Sequence, residues 1–279
     1  MKILIFGYTN WIANEFIEYI KINNKEINII KTNINITNET LVENILLLHS
    51  PTHIINFIDN DIENDYEINN NENNNLNIFY NNIKDNLYSP LVLAILSNKY
   101  KIHYTYIGSG NIYNNNNIEY KFLENDNPNN FNSKYIIIKG ITDKLLRLYK
   151  NNILNLRIKM PIINNNDKNN YIIKLINSKY INSKPNSITI LNDMFPIILD
   201  MMNKKIIGTI NLTNPGIITD NEILEIYKEI IKPELEWIKI EDNENYINNE
   251  LDTNKLLKLY PNIPNIKDSI KDVIKNMNK

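Results

Sequence analysis

Along the chain, short apolar runs alternate with longer stretches of helical period. Lys2–Phe6 (KILIF) is a continuous apolar run ended by Gly7, the pattern of a strand buried on both faces. In the next stretch, Trp11–Lys21, Trp11, Ile12, Phe16, Ile17 and Ile20 are spaced to share one face of a helix. The alternation then repeats. A second strand is expected at Ile27–Lys31, a helix opened by Asn38 through about Leu48, and a third strand at His53–Phe57 (HIINF). Residues 80–99 form the next helical pattern, and a fourth strand falls near Ile102–Ile107. Tyr135–Lys150 is helical, Ile153–Ile158 is a fifth strand and Thr209–Leu212 a sixth. Strands and helices in alternation, with short connections, predict parallel strands joined by crossover helices. The fold class is α/β, a doubly wound parallel sheet. Two regions depart from it. Glu67–Asn77 is almost wholly Asn, Glu and Ile, a solvated insertion unable to pack a core. From Pro161 onward the elements are less regular, which predicts a second, smaller lobe over 161–279, with 1–160 and a returning strand near 207–213 forming the first.

Composition narrows the function classes. With 279 residues and 43% hydrophobic content, the chain can build one large core or two modest ones. The net charge of −2 provides no field for a polyanion, which argues against a nucleic-acid binder. There is no Cys, so disulfides, thiol catalysis and thiolate metal sites are excluded. Only three His occur (His49, His53, His103), without metal-ligand spacing, and no metal is expected. No apolar run reaches the ~18 residues of a membrane span. The first strand begins at once, leaving no room for a signal peptide, so a cytoplasmic protein is expected. Asn (58) and Ile (56) dominate the composition, and Lys (28) displaces Arg (2). That is the mark of AT-rich codons, cellular or viral, in which case the site of action is the host cytoplasm. Asn runs and Ile-for-Val exchanges are therefore background and not signals.

Two segments point to chemistry. The first strand-to-helix turn, Gly7-Tyr-Thr9-Asn10-Trp11-Ile12-Ala13, has the spacing at which small residues let backbone N–H groups approach a pyrophosphate. Only the first glycine of the pattern is present. The second segment is Tyr135-Ile-Ile-Ile-Lys139, a phenol and an ammonium four apart on one helix face. The cation stabilises phenolate and so prepares the tyrosine to exchange a proton with a substrate oxygen. Spacing alone is weak evidence, because Tyr80/Lys84 and Tyr180/Lys184 share it. Context separates the three. Tyr135 follows Ser109, in Ile107-Gly-Ser-Gly110 at the carboxyl end of the fourth strand, where ligands of open α/β sheets bind. A serine there can donate to a carbonyl oxygen as it gains charge.

With these segments, the sequence resembles the extended short-chain dehydrogenase/reductases. It is most similar to the plant-type nucleotide-rhamnose epimerase/reductases, with the bacterial dTDP-4-dehydrorhamnose reductases as cousins. The marks are Gly7–Ala13, Pro51-Thr-His-Ile-Ile-Asn56, Asn86, Ile107–Tyr113, Ser133–Lys139 and Leu156-Arg-Ile-Lys-Met-Pro-Ile162. More specific marks follow in Lys184–Leu191, Asn211–Gly216, Asn221–Leu224 and Asn248–Asp252. The resemblance implies a Rossmann domain binding NADPH or NADH and a lobe holding a UDP- or dTDP-4-keto-6-deoxy sugar. Its implied reaction is 4-keto reduction, the final step of UDP- or dTDP-L-rhamnose synthesis, after a 4,6-dehydratase.

By position, the resemblance makes Tyr135 the general acid, with Lys139 lowering its pKa and bonding the cofactor ribose. Ser109 polarises the keto group and Asn86 supports the set. Gly7, Thr9, Asn10, Trp11, Ile12, Lys31 and Lys139 are the implied cofactor contacts. Lys31 is the only cation near the end of the second strand, where NADPH-preferring relatives carry Arg. Asn111 stands where the epimerising relatives have Cys, and Lys174 matches the other residue linked to epimerisation. The expectation is thus a reductase, with a bifunctional 3,5-epimerase/4-reductase as the alternative. A non-catalytic regulatory partner, like the regulatory subunit of methionine adenosyltransferase, is the other alternative. A dehydratase is disfavoured because Gly110 and Asn111 replace the acidic pair that dehydratases carry. A homodimer through the helices around 80–99 and 135–150 is also implied.

Overall fold

The computed structural model describes residues 1–59, 72–114, 120–149, 151–182, 184–240 and 249–277. The chain packs as two units. The first comprises Met1–Ile112, Asn127–Leu156 and Leu199–Thr209, and the second Tyr113–Asp126, Arg157–Ile198 and Ile210–Lys279. Packing thus divides the chain near Arg157, gives Tyr113–Asp126 to the second unit and returns Leu199–Thr209 to the first.

The six-stranded sheet has the order β2-β1-β3-β4-β5-β7. Its strands are β1 (Lys2–Phe6), β2 (Asn28–Thr32), β3 (His53–Asn56), β4 (His103–Ser109), β5 (Ile153–Ile158) and β7 (Gly208–Asn211). β1 pairs in parallel with β2 and β3, and β3 with β4. The apolar runs follow from this arrangement. Ile3, Leu4 and Ile5 have no exposed surface because helices cover both faces of a parallel sheet. Leu4, Phe6, Ile54, Tyr104 and Tyr106 share one core cluster with Val42 and Leu46 of α2 (Glu39–His49) and Val92, Leu93 and Leu96 of α4 (Ser89–Lys99). Chain order reverses between β1 and β3, which places a crevice outside their carboxyl ends.

Helix boundaries follow local chemistry. α1 (Trp11–Asn23) is capped by Asn10, whose side chain accepts from the Ile12 N–H at 2.9 Å, and α2 by Asn38. The helix expected over residues 80–99 begins earlier. It runs as α3 (Glu72–Ile83), one π turn (Lys84–Tyr88) and α4. Residues 72–77 of the Asn-rich stretch are therefore helical, while 67–71 lie outside the described residues. α5 (Lys134–Leu146) ends four residues before the expected Lys150.

In the second unit, Ile162, Ile172, Ile188, Ile190, Ile223 and Ile270 centre a separate core. It is built from α6 (Tyr171–Ile176), α8 (Asp220–Ile230), α10 (Ile266–Met277) and connecting segments. β6 (Tyr180–Asn182) and β8 (Ile238–Ile240) form a small parallel pair. α8 opens with a capping box, Thr219 bonding the Glu222 N–H and Glu222 bonding back to Thr219. Among the described residues, no helix is long and apolar enough to cross a membrane.

Candidate active site

Ser133 caps α5 by accepting from the Ile136 N–H at 3.2 Å, which fixes the phase of the helix. Tyr135 and Lys139 then lie one turn apart on the same face, 8% and 3% exposed. Burial separates this pair from its sequence look-alikes. Tyr80 is 66% exposed and Tyr180 59%, as expected of solvated faces.

The buried pair meets a carboxylate. Tyr135 Oη donates to Asp59, 2.9 and 3.0 Å from its two oxygens, and Lys139 Nζ lies 3.4 Å from the nearer one. Lys139 Nζ also stands 5.2 Å from the centre of the Tyr106 ring and 5.8 Å from that of Tyr135. Burial pushes the ammonium down, but the Asp59 charge and the Tyr106 phenol outweigh it and hold Lys139 above the ordinary lysine range. Lys139 is a fixed cation at any physiological pH, which is what a neighbouring phenolate requires.

Ser109 ends β4, three residues after Tyr106 on the same strand. Its Oγ accepts from the Asn111 N–H at 3.1 Å, leaving its own O–H proton for an acceptor. Asn86 sits inside the π turn with no exposed surface. Its carbonyl accepts from Thr142 of α5 at 2.6 Å, and its Nδ2 donates to Asn82. A π turn spaces a helix out of register, and such turns recur at functional sites. Here it brings the Asn86 backbone onto α5, one turn beyond Lys139.

Gly7 lies beside the same loop. It has φ +70°, and a Cβ built on it would stand 2.5 Å from Ile58 N and 2.7 Å from Phe57 C. The turn thus abuts the backbone that leads to Asp59. Thr9 is exposed, Trp11 and Asn10 are half-buried and Ile12 is buried. Lys31 is exposed at the end of β2, its ammonium 5.6 Å from the Tyr8 ring, and Asn33 donates to the Tyr8 hydroxyl at 2.7 Å. Asn111 accepts from Asn130 Nδ2 through its carbonyl. Lys174 is exposed on α6 of the second unit. These contacts join Tyr135, Lys139, Asp59 and Tyr106 directly, while Asn86 bonds Thr142 of the same helix.

No protein-family model matches the chain. An uncharacterized protein of Acanthamoeba polyphaga mimivirus, L780, is 37% identical over 288 residues, covering 99% of each protein. The crystal structure of the L780 UDP-rhamnose synthase from that virus aligns with a TM-score of 0.88, at 34% identity over 99% of both chains. The chain belongs to the family of this synthase.

Members of the rhamnose-synthase family also occur as parts of larger proteins. A trifunctional UDP-glucose 4,6-dehydratase/3,5-epimerase/4-reductase of Arabidopsis thaliana is 37% identical over 166 residues, which is 57% of this chain and 25% of that protein. Fold likeness extends further. The dTDP-4-dehydrorhamnose reductase of Bacillus anthracis, solved in complex with NADP, has a TM-score of 0.78 at 16% identity over 98% of both chains.

The family implies a nicotinamide dinucleotide, and the residues present fit one. The crevice lies at the β1/β3 reversal, Gly7 holds the φ that its turn requires, and a buried fixed cation faces the same loop. Asn10 already satisfies the Ile12 N–H. The N–H groups of Trp11 and Ala13 have no acceptor within the helix and suit a pyrophosphate.

Sequence reasoning missed Asp59 and Tyr106. Asp59 is the first charged residue after the run HIINFI, at a strand's carboxyl end, and position was its only signal. Tyr106 is one of two tyrosines in its strand, and its contact with Lys139 exists only in three dimensions.

Proposed function

We propose that the chain is an NAD(P)H-dependent 4-keto reductase of a nucleotide-4-keto-6-deoxyhexose. It would complete UDP-L-rhamnose, or dTDP-L-rhamnose, in the cytoplasm, after a 4,6-dehydratase has made the keto group. The observation that carries this reading is the buried Tyr135–Lys139 pair, in a chain related end to end to a UDP-rhamnose synthase.

The reduced nicotinamide, when bound, supplies the hydride that arrives at C4. Gly7, Thr9, Asn10, Trp11, Ile12 and Lys31 would hold the dinucleotide, with Lys139 at its ribose. Ser109 donates its O–H proton to O4 and polarises the carbonyl. Tyr135 then gives its proton to the oxygen as negative charge develops there. Lys139, kept charged by its neighbours, stabilises the resulting phenolate. Asn86 holds the π turn against α5 and so fixes the height of Lys139. The second unit would hold the nucleotide sugar.

The synthase activity of the viral relative favours a second reading, in which the chain also epimerises C3 and C5. Against it, Asn111 has an amide where an acid/base is needed, and the chain has no Cys. Lys174 is the remaining candidate. Ile95 of α4 and Ile141 of α5 are 47% and 45% exposed, and we place a homodimer contact on these helices.

The test is oxidation of NADPH and NADH with enzymatically made UDP-4-keto-6-deoxyglucose, with and without a separate 3,5-epimerase. Turnover only with the epimerase supports the pure reductase. Turnover without it establishes the bifunctional reading, and none in either case leaves the regulatory-partner reading.

A further inference from the structure

Each reduction costs Tyr135 a proton, and the phenolate left behind must recover one before the next turnover. Both members of the pair are nearly sealed from water, Tyr135 at 8% and Lys139 at 3% exposure. Asp59 differs from both. Its carboxylate touches the Tyr135 hydroxyl with both oxygens, at 2.9 and 3.0 Å, while its side chain is 37% exposed. It therefore reaches from the buried phenol to solvent. Lys139, 3.4 Å away, pins it in that position.

We propose that Asp59 returns the proton to Tyr135 after each reduction. This rests on the reductase reading above. The step balances without any redox change. The Tyr135 O–H bond breaks as the O4–H bond of the sugar forms. The Asp59 carboxylate takes a proton from a solvent acid at its exposed side and hands it to the phenolate oxygen, re-forming the Tyr135 O–H and the carboxylate. Asp59 is placed by its contacts with Tyr135 and Lys139, and no role at the sugar is assigned to it. It acts through Tyr135, as a positioning residue that also passes the proton.

The experiment compares D59N and D59A with the unaltered protein under saturating cofactor and 4-keto sugar. Asparagine keeps the size of the side chain and one acceptor oxygen, but it removes the charge facing Lys139 and cannot cycle a proton, so rescue in D59A decides between relay and charge. For D59N the expected result is a kcat lower by about tenfold or more, the low end of general acid–base effects, with KM for the sugar changed less than about twofold. In D59A, small acids such as imidazolium or formic acid restore kcat in proportion to their concentration, and they leave the unaltered protein unmoved. A structural role would give a loss that no small acid repairs. That outcome, or a D59N kcat within about twofold of the original, overturns the relay. An unaltered protein that never turns over the 4-keto sugar would instead overturn the reductase reading, and the relay with it.

Discussion

At the scale of single residues, one fixed charge organises the site. A buried ammonium without a partner loses its proton, as desolvation demands. Lys139 keeps its proton because Asp59 and the Tyr106 ring face it. Lys139→Met should therefore cost about a hundredfold or more in kcat, and retention of KM for the sugar would separate this from a binding defect. Lys31 bears on the proposed choice of cofactor. The stretch Lys31–Asn35 at the end of β2 has no acidic residue to take a ribose 2′-hydroxyl, and Lys31 provides a cation for a 2′-phosphate. NADPH should be preferred over NADH. Lys31→Ala should raise KM for NADPH about tenfold and leave that for NADH unchanged, as steady-state kinetics with both cofactors would measure. The Tyr135/Lys139 pair was legible because its spacing recurs behind a serine at a strand end. Asp59 was not, because Asp and Asn are too frequent in this chain for one more to stand out.

At the scale of elements, most of the sheet could be read from apolar runs, and β1 and β5 have the expected bounds. The start of α2 was legible because Asn38 caps it, whereas α5 begins at Lys134 behind the Ser133 cap, one residue before the expected Tyr135. The early start of α3 was not legible, since Asn has low intrinsic helix propensity and hides the pattern. Nor does sequence period reveal a π turn, which shifts register by one residue inside an otherwise continuous helix. Two elements offer direct tests. Alanine at Gly7 would need a left-handed backbone and a Cβ within 3 Å of the Ile58 backbone. Gly7→Ala should both lower stability and abolish cofactor binding, measured by denaturation and by fluorescence titration with NADPH. Thr219→Ala removes one half of the α8 capping box and should cost about 1 kcal/mol in urea unfolding. An unchanged midpoint would mean that Glu222, tied to Lys267, holds the helix start alone.

At the scale of the whole molecule, each unit buries its own titrating group away from the site. In the first unit, His53 at the start of β3 is pushed down to about 4 by burial and by His103, whose ring centre is 5.4 Å away. The unfolded chain takes that proton below about pH 6.5 and the folded chain only below about 4, so this histidine makes stability fall as pH drops through the window, opposing Asp220, whose carboxyl burial raises to about 6. In the second unit, Lys159 is lowered to about 7 by burial, its Nζ donating to the Asn249 carbonyl at 2.7 Å. Between about pH 7 and the ordinary lysine value of 10.5, the unfolded state binds more protons, so stability rises with pH. Lys159→Met should flatten the alkaline rise in the melting temperature and leave the acid fall intact, and His53→Gln should reduce the acid fall to the part that buried His103 contributes. A Lys159→Met profile that still climbs above pH 7 would contradict the assignment.

The loss of regular alternation after Pro161 is the sequence signal behind the expected second lobe over 161–279. The exchange of Tyr113–Asp126 and Leu199–Thr209 between units was not legible, because it depends on contacts distant in sequence.

The most direct test of the account is the rate of reduced-nicotinamide oxidation by Tyr135→Phe beside the unaltered protein, with the 4-keto-6-deoxy sugar and added 3,5-epimerase. Removing one hydroxyl should lower kcat by about a hundredfold or more while NADPH still binds. A Tyr135→Phe enzyme that turns over at the original rate would contradict the assignment of the site.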